Sequence, residues 1–131
     1  AWSGPPAWAE AGITPADIKY ASIYDSFTIT VLMQIEDLGF CKKGEGGKFV
    51  ADGNLISGVG KLPFNTDGGG LCNNHPANRG GITKVIEAVR QLRGEAHPKV
   101  QVANCGLALA QGTGGNLGTR HGSATLILGR D

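Results

Sequence analysis

The sequence predicts an α/β domain in which helices flank a mixed β-sheet. Two stretches carry apolar residues at helical spacing, near residues 26–38 and 77–93, and short apolar stretches typical of strands alternate with them. A glycine turn near the C-terminus precedes a final apolar stretch, which a short turn can only pair antiparallel with the strand before it. A layered domain with parallel and antiparallel strand pairs follows from these observations.

The composition is that of one small domain. The 131 residues suffice for a hydrophobic core, and the net charge of +1 at pH 7 indicates neither nucleic acid nor a charged membrane as a partner. No apolar segment is long enough to span a bilayer, and no signal peptide is recognisable. The three cysteines, Cys41, Cys72 and Cys105, lack metal-ligand spacing. They favour a reducing compartment without disulfides or a metal site, so we expect a cytoplasmic protein.

The N-terminal residues predict a short connection followed by helical turns. We assign residues 1–8 to a linker or to the tail of a preceding region, and we expect the chain to be a fragment, a processed piece or the tail of a longer protein. Residues 7–12 resemble the end of a helix that Gly12 stops. Thr14 and Pro15 suit the N-cap and first position of a single helical turn.

The next segment predicts a strand, a helix and a long loop. Residues 19–24 alternate as in a strand, and Asp25 or Ser26 is expected to cap a helix that ends at Gly39. Residues 41–60 are rich in glycine and predict a loop with a short strand or hairpin near Phe49. We expect another short strand at 62–64. The apolar positions of the predicted helix are Phe27, Val31, Leu32, Ile35 and Leu38.

The C-terminal part predicts a second helix and two strands. Residues 77–92 predict a helix that ends at Gly94, residues 99–109 a buried strand, residues 112–118 a glycine turn and residues 123–129 a final antiparallel strand. The expected buried stripe of the helix is Ile82, Val85, Ile86, Val89 and Leu92.

The segment from Asn65 to Pro76 is the most informative part of the sequence. Three consecutive glycines, Gly68–Gly70, permit positive φ angles and close approach of the backbone to a ligand. Pro76 suits the first turn of a helix, so His75 is expected where the loop meets a helix N-terminus. The helix dipole disfavours an imidazolium there, and a neutral imidazole able to form hydrogen bonds is what a catalytic histidine needs. A glycine-rich loop with His-Pro also occurs as an ordinary turn.

Three motifs together resemble the C-terminal half of the thiolase superfamily. They are Tyr24-Asp25-Ser26-Phe27, the segment from Asn65 to Pro76, and Gly112-Thr113-Gly114-Gly115, and they occur in the order that the family has. Within the superfamily, the chain is similar to the sterol-carrier-type (lipid-transfer-protein) thiolases and the thiolase-like aldolases. The resemblance covers about residues 9–131 and implies a thiolase-like C-terminal half-domain.

The resemblance implies an enzyme that acts on acyl-CoA thioesters, by acyl transfer or by cleavage of a C–C bond, without a covalently bound cofactor. The nucleophilic cysteine would come from an N-terminal thiolase half, so we expect the isolated chain to be inactive. By motif, His75 would activate that cysteine and contribute to an oxyanion hole. Implied partners are the N-terminal half, an OB-fold/zinc-ribbon companion that binds acyl-CoA, and a second copy in a homodimer.

Two departures from the family pattern bear on the reaction. Tyr24 stands where thiolases have an asparagine that holds a water in an oxyanion hole; a phenol there could donate a hydrogen bond or transfer a proton, or Tyr24 could be a packed strand residue. Leu109 stands where many thiolases have a second cysteine, and Gln111 where the aldolase-like relatives are expected to have histidine. Retro-aldol or modified retro-Claisen cleavage by Tyr24 and His75 therefore competes with ordinary Claisen chemistry.

The remaining candidates are substrate-binding residues and weaker polar groups. The alternative to an enzyme is a scaffold module that keeps the fold and docks an acyl-CoA-binding partner. Cys72 and Cys105 are expected to serve packing, and His97 to be solvated. Lysines near residues 42–48 either contact CoA phosphates or belong to a solvated loop. The expected substrate-binding residues are Gly68, Gly69, Gly70, Asn74, Gly114, Gly115 and His121, the last of which opens the final strand.

Overall fold

A computed structural model describes residues 2–57, 60–76, 80–115 and 122–130. No helix in these ranges is long and apolar enough to cross a membrane. The elements, in chain order, are α1 (Gly4–Ala11), a 3-10 turn (Pro15–Asp17), β1 (Tyr20–Ile23), α2 (Thr28–Asp37), α3 (Gly46–Ala51), α4 (Gly69–Cys72), α5 (Gly80–Arg93), β2 (Leu107–Gly114) and β3 (Gly122–Gly129).

The sheet is mixed, as predicted. Its strand order is β1-β2-β3, with β1 and β2 parallel and β2 and β3 antiparallel. The parallel register places Tyr20 beside Ala108 and Ile23 beside Gln111. The α/β class and the terminal hairpin are therefore confirmed.

Both faces of the sheet are covered at β1, so all four residues of this strand are buried, whereas β3 is largely exposed. Ala21, Ile23 and Leu109 face a core shared with α2, and Tyr20 and Ala108 face a second core beneath α5. The alternation of side chains along each strand separates the two cores. This arrangement leaves the carboxyl end of β1 at the junction of the two layers.

Helix α1 includes residues of the segment expected to be a linker. Gly12 ends the helix with φ +65°, as predicted. The Trp8 indole N–H donates to the carbonyl of Leu38 (3.1 Å), and the Ser3 hydroxyl is hydrogen-bonded to the Ser123 hydroxyl of β3 (2.7 Å). The helix runs across the expected boundary between residues 8 and 9, and these contacts attach it to the rest of the domain.

Helix α2 begins without the predicted cap. Its N-cap position is Phe27, and neither Asp25 nor Ser26 caps the backbone of its first turn. The Asp25 carboxylate instead accepts from backbone N–H groups of the glycine segment, because the fold brings that segment over the end of β1. Gly39 has φ +84° and follows the end of the helix, as predicted.

Residues 46–51 form α3, so the expected strand or hairpin near Phe49 is wrong. The Glu36 carboxylate of α2 accepts from the N–H of Gly46 (2.9 Å), at the start of α3. The Asn54 side chain donates to the carbonyl of Phe49 (2.9 Å), and Phe49 packs against the core beside α2. Contacts with α2 outweigh the low helix propensity of the glycines.

The short strand expected at 62–64 is a single parallel bridge between Phe64 and Ala21. Ala21 donates its N–H to the carbonyl of Pro63 (3.0 Å), and its carbonyl accepts from the N–H of Asn65 (3.1 Å). This bridge places the start of the glycine segment beside β1.

The buried face of α5 differs from the predicted stripe. Lys84, Glu87 and Gln91 are buried, whereas Ile82 and Ile86 are 57% and 44% exposed. Glu87 and Gln91 are hydrogen-bonded to Thr66, and Lys84 lies near the carboxylates of Asp25 and Asp67, so each polar group on this face has a compensating partner in the interior. The described helix begins at Gly80; the predicted first turn, residues 77–79, lies outside the described residues.

The strand expected at residues 99–109 begins only at Leu107, and it continues to Gly114. Asn104 has φ +54°, which interrupts an extended conformation. The side-chain oxygen of Gln91 accepts from the N–H of Val102 (2.8 Å), in place of a neighbouring strand. The predicted glycine turn at 112–118 is therefore partly strand, and residues 116–118 lie outside the described residues.

Candidate active site

Tyr24 is held at the carboxyl end of β1 by its own backbone. Its N–H donates to the carbonyl of Gln111 in β2 (2.9 Å), and its carbonyl accepts from the Gln34 side chain of α2 (2.7 Å). A Cβ atom at Gly80 would lie 3.0 Å from the Tyr24 ring, so the start of α5 approaches the ring closely. The contacts with β2, α2 and the start of α5 together fix the position of the half-buried Tyr24 side chain.

The glycine segment begins with a residue that imitates a strand partner. Asn65 has φ +41°, a conformation in which asparagine is enriched among residues other than glycine. Its side-chain oxygen accepts from the N–H of Ile23, and its side-chain nitrogen donates to the carbonyl of Ile23, both at 2.8 Å. The segment is thereby fastened to the residue before Tyr24.

Gly69 and Gly70 approach the Asp25 carboxylate closely, and Gly68 and Gly69 have positive φ angles. Gly68 and Gly69 have φ +92° and +63°, and a Cβ atom at Gly69 would lie 2.2 Å from Asp25 Oδ2. Asp25 accepts from the N–H of Gly70 at Oδ1 (2.6 Å) and from that of Leu71 at Oδ2 (3.2 Å). The carboxylate beside Tyr24 thus organises the turn that leads to His75.

A second carboxylate supports the other end of the turn. Asp67 Oδ1 accepts from the N–H of Gly69 (3.0 Å), and Oδ2 accepts from the Asn74 side chain. The Asn74 side-chain oxygen accepts from the hydroxyl of Thr83 in α5 (2.9 Å). Both polar atoms of Asn74, an expected substrate-binding residue, therefore bind protein groups in this structure.

These contacts bring Tyr24 and His75 together. The Tyr24 hydroxyl lies 2.6 Å from His75 Nε2, and the two ring centroids are 5.7 Å apart. A Cβ atom at Gly70 would lie 3.4 Å from His75 Cδ2, so the glycine turn lies in contact with the imidazole. His75 itself is exposed. The two residues predicted as catalytic form one hydrogen-bonded pair that opens to the surface.

A buried lysine lies behind the glycine turn. Lys84 of α5 is 1% exposed, and its Nζ is 3.9 Å from Asp25 Oδ1 and 4.0 Å from Asp67 Oδ1. Nζ makes no hydrogen bond within the described part of the chain. One ammonium therefore lies between the two carboxylates that organise the turn.

A second polar cluster anchors the start of the segment to α5. The Thr66 hydroxyl donates to Glu87 Oε1 (2.6 Å) and accepts from the Gln91 side chain (2.8 Å). The N–H of Thr66 donates to the Tyr20 hydroxyl (3.3 Å), and burial raises the pKa of this phenol well above its ordinary value. Glu87, Gln91 and Tyr20 are thus structural partners of the segment.

The other expected substrate-binding residues lie at the far end of the hairpin. Gly114 pairs with Gly122, and Gly115 has φ +102° directly after β2. Both follow Gln111, whose carbonyl is bound to Tyr24, and so they extend past the end of β1. His121 lies outside the described residues.

Gln111 and Leu109 occupy structural positions. The Gln111 side chain is buried, donates to the Ser123 hydroxyl (3.0 Å) and accepts from the Thr125 hydroxyl. Leu109 is fully buried in the core beside α2. Neither position carries a group that could serve as an acid or a base.

The cysteines and His97 do not join the site. Cys105 is buried, and burial raises the pKa of its thiol. Burial, and then the charges of Glu36 and Glu45, raise the pKa of the Cys41 thiol. Cys72 is exposed, and so is His97. In the described ranges, no group of three or more histidine, cysteine or acidic residues could hold a metal ion.

Three residues of the site, Asn65, Asp67 and Lys84, are not among those predicted from the sequence. Asn65 and Asp67 lie inside the segment that was singled out, but their individual contacts with β1 and α5 depend on the fold. Lys84 lies one helical turn before Ala88, on a face that the apolar pattern did not select. The signal available was its spacing with Glu87 and Gln91, which places three polar residues on one side of α5.

Comparison with known proteins identifies the family. A family model described as thiolase C-terminal domain-like matches residues 1–130. The chain belongs to this family. The resemblance found in the motifs is therefore confirmed, and so is the thiolase-like fold.

Several proteins with named activities are similar in sequence to this chain. A 17-hydroxy-3-oxo-4-pregnene-20-carboxyl-CoA lyase of Mycobacterium tuberculosis is 51% identical over 87 residues, 66% of this chain and 22% of that protein. A steroid side-chain-cleaving aldolase of Thermomonospora curvata is 48% identical over 91 residues, 70% of this chain and 22% of that protein. An acetyl-CoA acetyltransferase of Methanothermobacter thermautotrophicus is 40% identical over 113 residues, 86% of this chain and 29% of that protein.

A solved structure supports the same assignment. A chain of a structure described as an Ltp2-ChsH2(DUF35) aldolase superposes with a TM-score of 0.78 at 43% sequence identity, over 96% of this chain and 30% of that one. The thiolase C-terminal domain-like chain thus spans less than a third of the length of the relatives described here.

Proposed function

We propose that this chain is the C-terminal catalytic half of a thiolase-like enzyme that cleaves a C–C bond in an acyl-CoA thioester. The observation that carries the proposal is the 2.6 Å contact between the Tyr24 hydroxyl and His75 Nε2. A phenol in direct contact with an imidazole can exchange a proton with it and then with a substrate. Tyr24 lies at the end of a strand and His75 lies on a loop. Buried hydrogen bonds hold the strand end and the loop together, as positioned catalytic groups require.

The reaction that fits this pair is retro-aldol cleavage of a β-hydroxyacyl-CoA. The Tyr24 oxygen takes the proton of the substrate hydroxyl while its own proton passes to His75 Nε2. The bond between the α- and β-carbons then breaks, the hydroxyl carbon becomes a carbonyl, and the bonding electrons form the enolate of the shorter acyl-CoA. The α-carbon takes a proton back from the pair, which returns to its starting state without a cofactor.

Two observations favour this reaction over acyl transfer. The related lyase and aldolase are named for cleavage, and they are 51% and 48% identical to the matched parts of this chain. Leu109, at the position where the resemblance places a second thiolase cysteine, is buried among apolar side chains. Acyl transfer remains the second candidate, because the acetyl-CoA acetyltransferase is 40% identical over a longer part of the chain.

The apolar surface between α5 and β3 supports an N-terminal half as partner. Ile82, Ile86 and Leu126 are between 44% and 57% exposed, and Ile82 and Leu126 line one groove with Val85 and Ala124. Exposed apolar patches of this kind mark protein interfaces. The aldolase structure is named for two components, which supports the proposal of a companion protein. A homodimer and an OB-fold/zinc-ribbon companion remain predictions.

A substrate comparison with the complete gene product tests the proposal. We expect a β-hydroxyacyl-CoA to give a ketone or aldehyde and a shorter acyl-CoA, detected by mass spectrometry. A 3-ketoacyl-CoA with free CoA should be thiolysed slowly or not at all. Thiolysis without aldol cleavage would favour the acyltransferase function. If neither substrate reacts but acyl-CoA or a companion protein binds, the chain is a scaffold module.

A further inference from the structure

Lys84 is a buried cation that the proposed reaction does not use. Its side chain is 1% exposed, and its ammonium lies about equally far from Asp25 Oδ1 and Asp67 Oδ1, at 3.9 and 4.0 Å. A buried charge is costly unless opposite charges compensate it, so these two carboxylates and the ammonium must be considered as one unit.

Each of the two carboxylates is tied to one member of the Tyr24–His75 pair. Asp25 directly follows Tyr24, and it accepts the N–H groups of Gly70 and Leu71. Asp67 binds the side chain of Asn74, which directly precedes His75. The ammonium therefore acts between the support of the phenol and the support of the imidazole.

We propose that Lys84 is a positioning residue for the Tyr24–His75 pair. By attracting Asp25 and Asp67 from α5, its ammonium sets the separation of the two supports and hence the 2.6 Å contact between Tyr24 and His75. Without the ammonium, two carboxylates would lie in one buried site with no opposite charge, and their repulsion would move the glycine turn away from β1. This inference rests on the proposed catalytic role of the pair.

Lys84→Met in the complete gene product removes the charge and keeps a long side chain. We expect kcat to fall on the order of 10²-fold, because a displacement of about 1 Å between reacting groups has that effect, while KM stays within a few-fold. The ¹⁵N chemical shift of His75 Nε2, measured by NMR, reports the contact with the Tyr24 hydroxyl. Tyr24→Phe should change this shift in the wild-type background but not in the Lys84→Met background.

Asp67→Asn is the second variant, needed because Lys84→Met leaves two buried carboxylates without a cation, which opposes folding. The substitution leaves one carboxylate for one ammonium, and it retains an acceptor for the N–H of Gly69. The replaced oxygen is the one that binds Asn74. We expect kcat to fall at least tenfold and the His75 Nε2 signal to shift in the same direction as in Lys84→Met.

Leu92→Ala is the matched control for lost stability. Leu92 is buried on the same helix, in the core beneath α5, and it is not part of the Lys84 cluster. We expect this variant to melt at a lower temperature and to keep the kcat and the His75 signal of the wild type at temperatures where it is folded. If the folded Lys84 and Asp67 variants behave like Leu92→Ala, Lys84 is only structural and the inference fails.

His75→Ala, assayed in parallel, separates this inference from the proposed function. Wild-type activity of His75→Ala would overturn the catalytic role of the pair, and the role of Lys84 with it. A large loss in His75→Ala together with an unchanged rate in both cluster variants would overturn the inference about Lys84 alone. Loss in all three, with a changed His75 signal in the cluster variants, supports both.

Discussion

The Asn65 side chain forms two hydrogen bonds with the backbone of Ile23, each 2.8 Å long. Both residues are buried, so the bonds do not compete with bulk water. They join the start of the glycine segment to the last residue of β1, one position before Tyr24. The approach of His75 to Tyr24 is therefore a consequence of how the glycine segment is attached to the sheet.

Tyr24→Phe removes only the hydroxyl that contacts His75. In the complete gene product, we expect C–C cleavage to slow strongly, because the hydroxyl moves a proton in the transition state. The melting temperature should change little, because the hydrogen bond to His75 is exposed and water can replace it. Single-turnover kinetics measure the cleavage rate. Tyr20→Phe is the matched control on the same strand: its hydroxyl binds Thr66, so its loss should lower stability by about 1 kcal/mol and leave the rate unchanged. A destabilised but fully active Tyr24→Phe enzyme would make Tyr24 a structural residue.

His75→Ala tests the imidazole itself. We expect kcat to fall on the order of 10²–10³-fold with a small change in KM, since the imidazole acts on charge that develops in the transition state. Steady-state kinetics of the complete gene product provide both constants. His97→Ala, which alters an exposed loop histidine, should retain wild-type kinetics. Activity of His75→Ala within a few-fold of wild type would end the catalytic assignment.

Gly69→Ala tests the close packing of the glycine turn. An alanine there would have an unfavourable φ of +63° and a Cβ atom 2.2 Å from Asp25 Oδ2. Gly94→Ala has a similar φ of +73° but no atom within 4 Å of the added Cβ. We expect about 1 kcal/mol of destabilisation for Gly94→Ala and clearly more for Gly69→Ala. Urea denaturation measures the difference, and equal losses would show that the contact with Asp25 is easily relieved.

Tyr20 should make the protein less stable at alkaline pH. Burial raises the pKa of its phenol in the folded chain, whereas the pKa in the unfolded chain is about 10. The folded state therefore holds this proton more tightly, and its stabilising effect is complete below about pH 10 and decreases as the pH rises further. Urea denaturation at pH values from about 8 to about 11.5, on both sides of the reference tyrosine pKa, should show a steeper loss of unfolding free energy for wild type than for Tyr20→Phe. If the unfolding free energies of the two proteins decrease equally with pH, folding does not raise the pKa of Tyr20.

The cysteines of this chain should not form an acyl-enzyme. Burial raises the pKa of the Cys41 and Cys105 thiols, which disfavours the nucleophilic thiolate. Cys72 is exposed but lies at the end of α4, without a described hydrogen bond from its side chain. We expect no stable acyl adduct when the isolated chain is incubated with acyl-CoA and analysed by mass spectrometry. A stoichiometric adduct on one cysteine would assign the nucleophile to this chain.

The fold class followed from local patterns, and so did most element positions. The antiparallel pairing of the last two strands and the end of α2 at Gly39 depend on residues that are neighbours in sequence, so a short glycine-rich connection and a helix-ending glycine suffice to predict them. The start of β2 was predicted eight residues too early, at residue 99 instead of Leu107. The helix at residues 46–51 and the buried face of α5 were predicted wrongly. Both depend on partners elsewhere in the chain. The helix at 46–51 depends on Glu36, and the polar residues of α5 depend on Thr66, Asp25 and Asp67.

The sequence by itself determined the mixed α/β architecture, the glycine segment and the candidate pair of Tyr24 and His75. Only the tertiary structure decided that the phenol and the imidazole meet at 2.6 Å, although they are 51 residues apart. It also decided that Asp25 supports the glycine turn instead of capping α2, and that Lys84 lies between two carboxylates. The physical reason is that these contacts join β1, the glycine segment and α5, and side-chain periodicity within one element contains no information on which polar groups a second element brings to it.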